Sequence, residues 1–290
     1  MKVLILTDGK AGHQNQTIAL AKSMGLEYDL VPVHFKNKLA KLIAPVFDWL
    51  HISSGCLFTC GRIPSPASEY SFVAGTGSGT FYPVKVIAAR MPLESRIIFY
   101  PRLYRTGSFS RIYVPYHDNP PSKPNIERIH GAFVYVSQQM KDQAVEEFKK
   151  RNSNCADHAF ALVVGGSSKY ATMDYGWMRQ NLDQFFRDMS AWKEQHPGSS
   201  CAAWVTTSRR TPSEIKELVK QYPWDFCQIS SQDTYNPIPA FAVLADKVYV
   251  TAESISMVSE TRCAATGQVC LLDNLKPGGH KLRRFIDSLS

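Results

Sequence analysis

Three stretches in the second half of the sequence place small polar and basic residues where they can hold a phosphate. Gly165 to Lys169, Thr206 to Thr211 and Thr251 to Ser256, which contain Ser167, Ser168, Ser208, Arg209, Arg210 and Ser254, lie where short apolar runs hand over to segments with helical spacing. Backbone N–H groups at a helix start are unpaired and lie at the positive end of the helix dipole, so an anion is stabilised there. An arginine fork matches phosphate oxygens bidentately, although either arginine can instead face solvent or pair with a carboxylate. Each stretch alone is ordinary loop chemistry; three alike point to an anion site. Ser256, Ser259 and Glu260 share a helix face at i, i+3 and i+4. A carboxylate in that place can accept both hydroxyls of a ribose, and a solvated helical glutamate is the alternative.

The elements that must position these residues are legible as an alternation. Val3 to Thr7 reads as a buried strand, Asp8 to Gln16 as a polar loop with Gly9 and Gly12, and Thr17 to Met24 as a helix stopped by Gly25. Tyr28 to Val33 is the next strand. Lys36 to Leu50 has Leu39, Leu42, Ile43, Val46, Phe47 and Leu50 at helical spacing behind Lys36, Lys38 and Lys41. Such a basic amphipathic helix suits an anionic membrane or plain packing on a sheet. Ser71 to Ala74 is a strand leading through Gly75-Thr76-Gly77-Ser78-Gly79-Thr80 into a helix at Tyr82 to Arg90. Arg96 to Pro101 and Arg111 to Pro115 continue the strands, and a turn-rich stretch from His117 to Pro124 precedes Ile126 to Ser137. The helix Gln138 to Arg151 and the loop Asn152 to Asp157 form the join.

The pattern then restarts. Phe160 to Val164, Cys201 to Thr206, Asp225 to Ile229, Lys247 to Thr251 and Val269 to Leu272 read as strands. Asp174 to His196 is a long helix whose aromatic face is core, and Thr211-Pro212-Ser213-Glu214 opens another with a capping box. Ser254 to Ala265 is a helix with Ser254 as N-cap. The expected fold is α/β, with two Rossmann-like domains at 1–150 and 151–290 facing across a cleft.

At 290 residues the chain suffices for two domains, and 44% hydrophobic with 20% charged residues predicts folding throughout. Lys plus Arg exceed Asp plus Glu by 33 to 25, a net charge of +8 that favours anionic partners or simply solubility. The basic residues are scattered and no zinc-finger spacing or RNP motif is present, so nucleic acid is not an expected partner. Seven irregularly spaced cysteines without a Cys-x-x-Cys pair read as cytosolic thiols, and no metal site is expected. The opening apolar run is too short for a signal peptide, and none approaches the roughly 20 residues of a bilayer span. A cytoplasmic protein is expected, free or associated with a membrane surface.

The run Ala245-Asp246-Lys247-Val248-Tyr249-Val250-Thr251-Ala252-Glu253-Ser254-Ile255-Ser256-Met257-Val258-Ser259-Glu260, with Ala264-Ala265-Thr266-Gly267, resembles the donor-binding stretch of GT-B glycosyltransferases. Together with DGKAGHQNQ (Asp8 to Gln16) and TSRRTP (Thr207 to Pro212), the chain resembles the mitochondrial fission/elongated-mitochondria family. That family has many bacterial members, some labelled predicted nucleoside-diphosphate-sugar epimerases, and its plant branch recruits a dynamin-related protein to mitochondria. The resemblance implies a GT-B-like fold, with a nucleotide-sugar site on the C-terminal domain and an acceptor side on the N-terminal one.

On that likeness a UDP-type nucleotide sugar is the expected donor substrate, and no cofactor is required. Gly165, Gly166, Ser167, Ser168, Ser208, Arg209, Arg210, Ser254, Ser256, Ser259 and Glu260 are its candidate binding residues. Gly9, Lys10, Gly12, Gln14, Asn15, Gly75, Gly77 and Ser78 form the candidate acceptor-side loops. His13 or Asp8 is the candidate base for an acceptor hydroxyl, because a base must lie within hydrogen-bonding distance of that proton; a binding or bystander histidine is the alternative. Helix dipoles and arginine can stabilise a leaving diphosphate without a metal. A lipid-linked acceptor would suit the basic helix. An epimerase using NAD fits less well, since Asp8 to Gln16 does not supply Gly-x-Gly-x-x-Gly after the first strand. The alternative to a transferase is a non-catalytic scaffold of the same fold that binds a protein partner at a membrane.

Overall fold

A computed structural model describes residues 1–152, 156–230, 235–278 and 280–289. Residues 153–155, half of the loop expected at the join and including Cys155, lie outside the described residues. The chain forms two compact units, Met1–Tyr135 and Val136–Ser290. Each is a Rossmann-like α/β layer structure with a mostly or wholly parallel sheet.

The first unit runs β1 (Lys2–Thr7), α1 (Ala11–Ser23), β2 (Glu27–Phe35), α2 (Lys38–Trp49), β3 (Phe58–Cys60), β4 (Tyr70–Thr76), α3 (Phe81–Arg90), β5 (Glu94–Ile98), β6 (Arg111–Pro115) and β7 (Ile126–Ile129). Its sheet has the order β3-β2-β1-β4-β5-β6-β7, parallel except for β3, which pairs antiparallel with β2. Alternation along β1 divides the core. Val3 and Ile5 pack with Ala21 of α1, while Leu4 and Leu6 join the cluster containing Val84 and Ile87 of α3 and Ala40 and Ala44 of α2. A strand buried on both faces explains the unbroken apolar run that marks it in the sequence.

The second unit runs α4 (Gln138–Arg151), β8 (His158–Val164), α5 (Tyr175–Gln195), β9 (Cys201–Thr207), α6 (Ser213–Lys220), β10 (Phe226–Ile229), α7 (Ile238–Leu244), β11 (Lys247–Thr251), α8 (Ile255–Ala264), β12 (Gln268–Leu272) and α9 (Lys281–Asp287). Its all-parallel sheet has the order β10-β9-β8-β11-β12. Phe160, Leu162 and Val164 face Met178, Leu182 and Phe185 of α5, as the aromatic face of that helix leads one to expect. Ala159, Ala161 and Val163 face Phe148 of α4, Phe241 of α7 and Phe285 of α9. Helix α4 thus packs within the second unit.

Several boundaries differ from expectation. Helix α1 begins at Ala11 rather than Thr17, so Gly12, His13, Gln14, Asn15 and Gln16 lie on its opening turns. Gly9, at φ 78°, makes the turn, and the Lys10 carbonyl accepts the amides of His13 and Gln14 at 3.0 Å each. A glycine costs a helix about 1 kcal/mol, which is why the sequence reads as loop there. Gly75 belongs to β4, and β5 stops at Ile98. Helix α6 has Pro212, not Thr211, at its N-cap and no side-chain cap. The Thr211 hydroxyl instead donates to the Gly165 carbonyl and accepts the Ser208 amide at 3.0 Å. Ser254 occupies the N-cap of α8 without a side-chain cap hydrogen bond. Strand β3 and helices α7 and α9 lie outside the expected elements; all three are short, and α7 carries proline near its start.

Helix α2 is held by one buried acid. Asp48 is fully buried, paired with Lys85 of α3, and accepts the Arg105 amide at 2.7 Å and the Ser108 hydroxyl at 3.2 Å. Removing one member of a buried pair leaves the other uncompensated. Asp48→Ala is expected to destabilise the first unit by about 3–5 kcal/mol, seen as a lowered urea midpoint for its unfolding; an unchanged midpoint would contradict this role.

Candidate functional site

In open parallel sheets a ligand sits beyond the carboxyl ends of the strands, where the strand order reverses. In the second unit that reversal lies between β8 and β11. The Gly165 amide donates to the Thr251 hydroxyl at 2.8 Å, and the Gly166 amide to Glu253 Oε1 at 2.8 Å. Thr251 donates to the same oxygen at 3.2 Å, and Asn274 Nδ2 to Glu253 Oε2 at 2.8 Å. Glu253 is 4% exposed, and these donors on both oxygens offset the cost of burying it. A Cβ at Gly165 would fall on Glu253 Oε1, and one at Gly166 on the Arg210 carbonyl. Both glycines are therefore set by close approach, because no side chain fits.

Beside this loop lies a cavity of about 500 Å³ whose wall includes Val164, Ser208, Arg209, Ser230, Asn236 and Met257. It lies within the size range of small-molecule sites. Arg209 is exposed and has no carboxylate partner among the described residues, so its charge is available to the cavity. The Ser230 hydroxyl finds no hydrogen-bond partner among the described residues. Glu260 reaches the rim through Asn236, whose Nδ2 donates to Glu260 Oε1 at 3.2 Å. Burial pushes the Glu260 carboxyl above its ordinary range, and the Asn236 hydrogen bond works in the opposite direction.

The expected residues separate into two groups. Ser208 and Arg209 line the cavity, with Gly165 and Gly166 beside it and Glu260 at its rim. The Ser167 and Ser168 hydroxyls accept the amides of Met173 and Tyr170, both at 3.2 Å, and so serve their own loop. The exposed Arg210 contributes its backbone: its amide donates to the Ser208 hydroxyl at 3.1 Å. Ser254, Ser256 and Ser259 lie on the opening turns of α8, Ser256 exposed. Glu253 and the cavity wall formed by Asn236 and Pro237 escaped the sequence reading. The Asn-Pro pair is a turn marker that signals the wall's backbone; nothing in the sequence signals that Glu253 is buried.

In the first unit the reversal lies between β1 and β4. His13 Nδ1 stands 3.1 Å from both Asp8 carboxylate oxygens. A carboxylate at Nδ1 fixes the ring orientation and the tautomer that leaves Nε2 as an acceptor. Lys10 Nζ lies 3.6 Å from Asp8, and the Thr7 hydroxyl donates to Gln14 Oε1 at 3.4 Å. Gly77, at φ 80°, leaves room for the His13 ring, and a Cβ at Gly79 would lie 2.7 Å from Asp8 Oδ2. Phe99 meets the His13 ring edge-on at a centroid distance of 6.1 Å. Its φ of 81° is strained for a bulky residue. Gly9, Asn15 and Ser78 are exposed around the pair, whereas Gly75 is buried in β4 against Thr80 and Val84.

Fold and site together define a protein of two Rossmann-like α/β units, each carrying polar side chains and close-packed glycines at its strand-order reversal. The family model for mitochondrial fission ELM1 matches residues 11–290, and the chain belongs to that family. No curated protein matches it in sequence. Among solved structures it is similar to an S. aureus MnaA–UDP co-structure, at 11% identity and TM-score 0.42, over 100% of this chain and 87% of that one. It is also similar to the spinosyn forosaminyltransferase SpnP, at 10% identity and TM-score 0.39, over 100% and 90% of the two chains. A third is POFUT1 in complex with GDP, at 12% identity and TM-score 0.39, over 93% and 98%. Among the described residues no helix is long and apolar enough to cross a membrane.

Gly166→Ala and Gly12→Ala test the close-packing assignment as a pair. A Cβ at Gly12 meets nothing within 4 Å. Gly166→Ala is expected to cost about 1–3 kcal/mol, while Gly12→Ala should be neutral or stabilising by up to about 1 kcal/mol, both read by thermal denaturation. Equal effects would remove the distinction.

Proposed function

We propose that the second unit binds a nucleotide sugar of the UDP type and that the chain transfers the sugar to an acceptor hydroxyl held by the first. The observation that carries this reading is the Gly165–Gly166 loop, locked by Glu253 at the β8/β11 reversal beside a cavity that Arg209 lines. Arg209, with the backbone amides and hydroxyls at the start of α8, would hold the diphosphate. Glu260 would accept ribose hydroxyls. On the first unit, His13 Nε2 would take the acceptor proton while Asp8 steadies the ring. The acceptor oxygen bonds to the anomeric carbon as the bond from that carbon to the diphosphate breaks. The leaving oxygen keeps the electron pair, and arginine with oriented N–H groups stabilises its charge without requiring a metal. Gly9, Gly77 and Ser78 would leave space for the acceptor. The reaction would take place in the cytoplasm, with a soluble or lipid-linked acceptor.

Membership of the mitochondrial fission ELM1 family favours a second reading, a scaffold that keeps the ligand site but binds a protein partner instead of turning over. Calorimetric titration with UDP, GDP, TDP and their sugar conjugates tests the site itself. One conjugate is expected to bind at micromolar strength and to weaken at least tenfold, about 1.4 kcal/mol, in Glu260→Ala. No binding by folded protein would overturn the donor site. Binding of an intact conjugate without transfer to any acceptor tried would favour the scaffold.

The raised pKa of Glu260 gives the pH dependence its sign. Protonation turns one acceptor oxygen into a donor and removes the charge, so affinity should fall on acidification, beginning at a higher pH than for an ordinary carboxylate. Glu260→Gln should flatten that dependence, and an unaltered profile would take Glu260 out of the site. His13→Asn is expected to lower turnover by about 10²–10⁴-fold and leave nucleotide affinity unchanged; undiminished turnover would exclude His13 as the base.

A further inference from the structure

Helix α2 is apolar on two sides. Ala40 and Ala44 are buried against the first sheet's core, with Ile43 and Phe47 packed beside them. Leu39, Leu42, Val46 and Trp49, spaced i, i+3, i+7 and i+10, point the other way and are 63%, 73%, 53% and 63% exposed. The stripe extends to Leu103, 69% exposed, because Trp49 Nε1 donates to the Leu103 carbonyl at 3.2 Å. Scattered exposed leucines need no explanation, whereas a contiguous stripe marks an interaction surface.

The charge around this stripe has one sign. Lys36, Lys38, Lys41 and Arg102 are exposed and lie beside no carboxylate within salt-bridge distance among the described residues. Residues 36–52 and 99–105 contain a single acid, Asp48. That acid lies on the buried side of the helix, bound to Lys85 and to the Arg105 backbone.

We propose that this face of α2, with the Leu103 loop, docks on an anionic lipid bilayer. Apolar residues enter the acyl boundary while lysines beside them keep their ammonium groups at the headgroups, and tryptophan favours that boundary. A protein partner or a second copy of this face would need acids opposite the lysines, and this face has none to offer a copy of itself. The surface is independent of the nucleotide reading.

Sedimentation with phosphatidylcholine vesicles, with and without phosphatidylglycerol and in the absence of nucleotide, tests it. The protein should pellet with the anionic vesicles, stay in solution with the neutral ones, and be released by raised salt. Leu39→Ser/Leu42→Ser should abolish pelleting without lowering the thermal midpoint, since neither side chain is buried. Lys38→Gln and Lys41→Gln should each weaken binding roughly fivefold. Absence of pelleting with anionic vesicles would overturn the proposal. So would a dimer in light scattering that the double serine variant dissociates while vesicles stay unbound. Because nucleotide is absent, either failure leaves the donor site untouched.

Discussion

Burying a carboxylate is costly unless donors occupy its oxygens, and in the second unit the whole candidate site is arranged around one that is so occupied. Glu253 joins the ends of β8 and β11 and the Asn274 segment through hydrogen bonds to the Gly166 amide, the Thr251 hydroxyl and the Asn274 amide. The Gly165–Gly166 turn has its shape because the chain passes too close to Glu253 and Arg210 for a side chain. Thr211 ties the Ser208 loop to the same turn. Arg209 is therefore presented to the cavity by a loop fixed at its base.

The first unit solves a similar geometric problem with different chemistry. Its strand-order reversal also brings a glycine loop onto a polar residue, yet the partners are an imidazole and a carboxylate whose side chain is 10% exposed. His13 leans on Gly77 and Phe99, and Asp8 lies against Gly79. In the second unit a buried carboxylate filled by donors shapes the loop beside the cavity; in the first, a carboxylate with a largely buried side chain holds a histidine.

The doubly wound layers were legible because buried parallel strands are unbroken apolar runs, as in Val3 to Thr7 and Phe160 to Val164. The strand ends followed from the small residues after them. What escaped was the use of particular groups. Thr211 reads as a cap, but its hydroxyl is drawn to the Gly165 carbonyl, a contact set by the sheet and not by local spacing. The start of α1 was hidden by Gly12. Glu253 looks like any polar loop residue until the register of β11 against β8 places it beneath Gly166. The periodicity of α2 was plain, but which of its apolar residues face inward depends on the sheet beneath it.

The missing cap on α6 has a kinetic side. An eight-residue helix whose first turn lacks a side-chain acceptor opens at low cost. The segment that carries Arg209 leads directly into that turn. Its anchor at Ser208 and Thr211 is firm, while the turn beyond begins without a side-chain acceptor. Amide hydrogens of the first α6 turn would then exchange early in the free protein, and an anion seated at the loop would slow them. In that sense α6 can report occupancy of the site without touching the ligand.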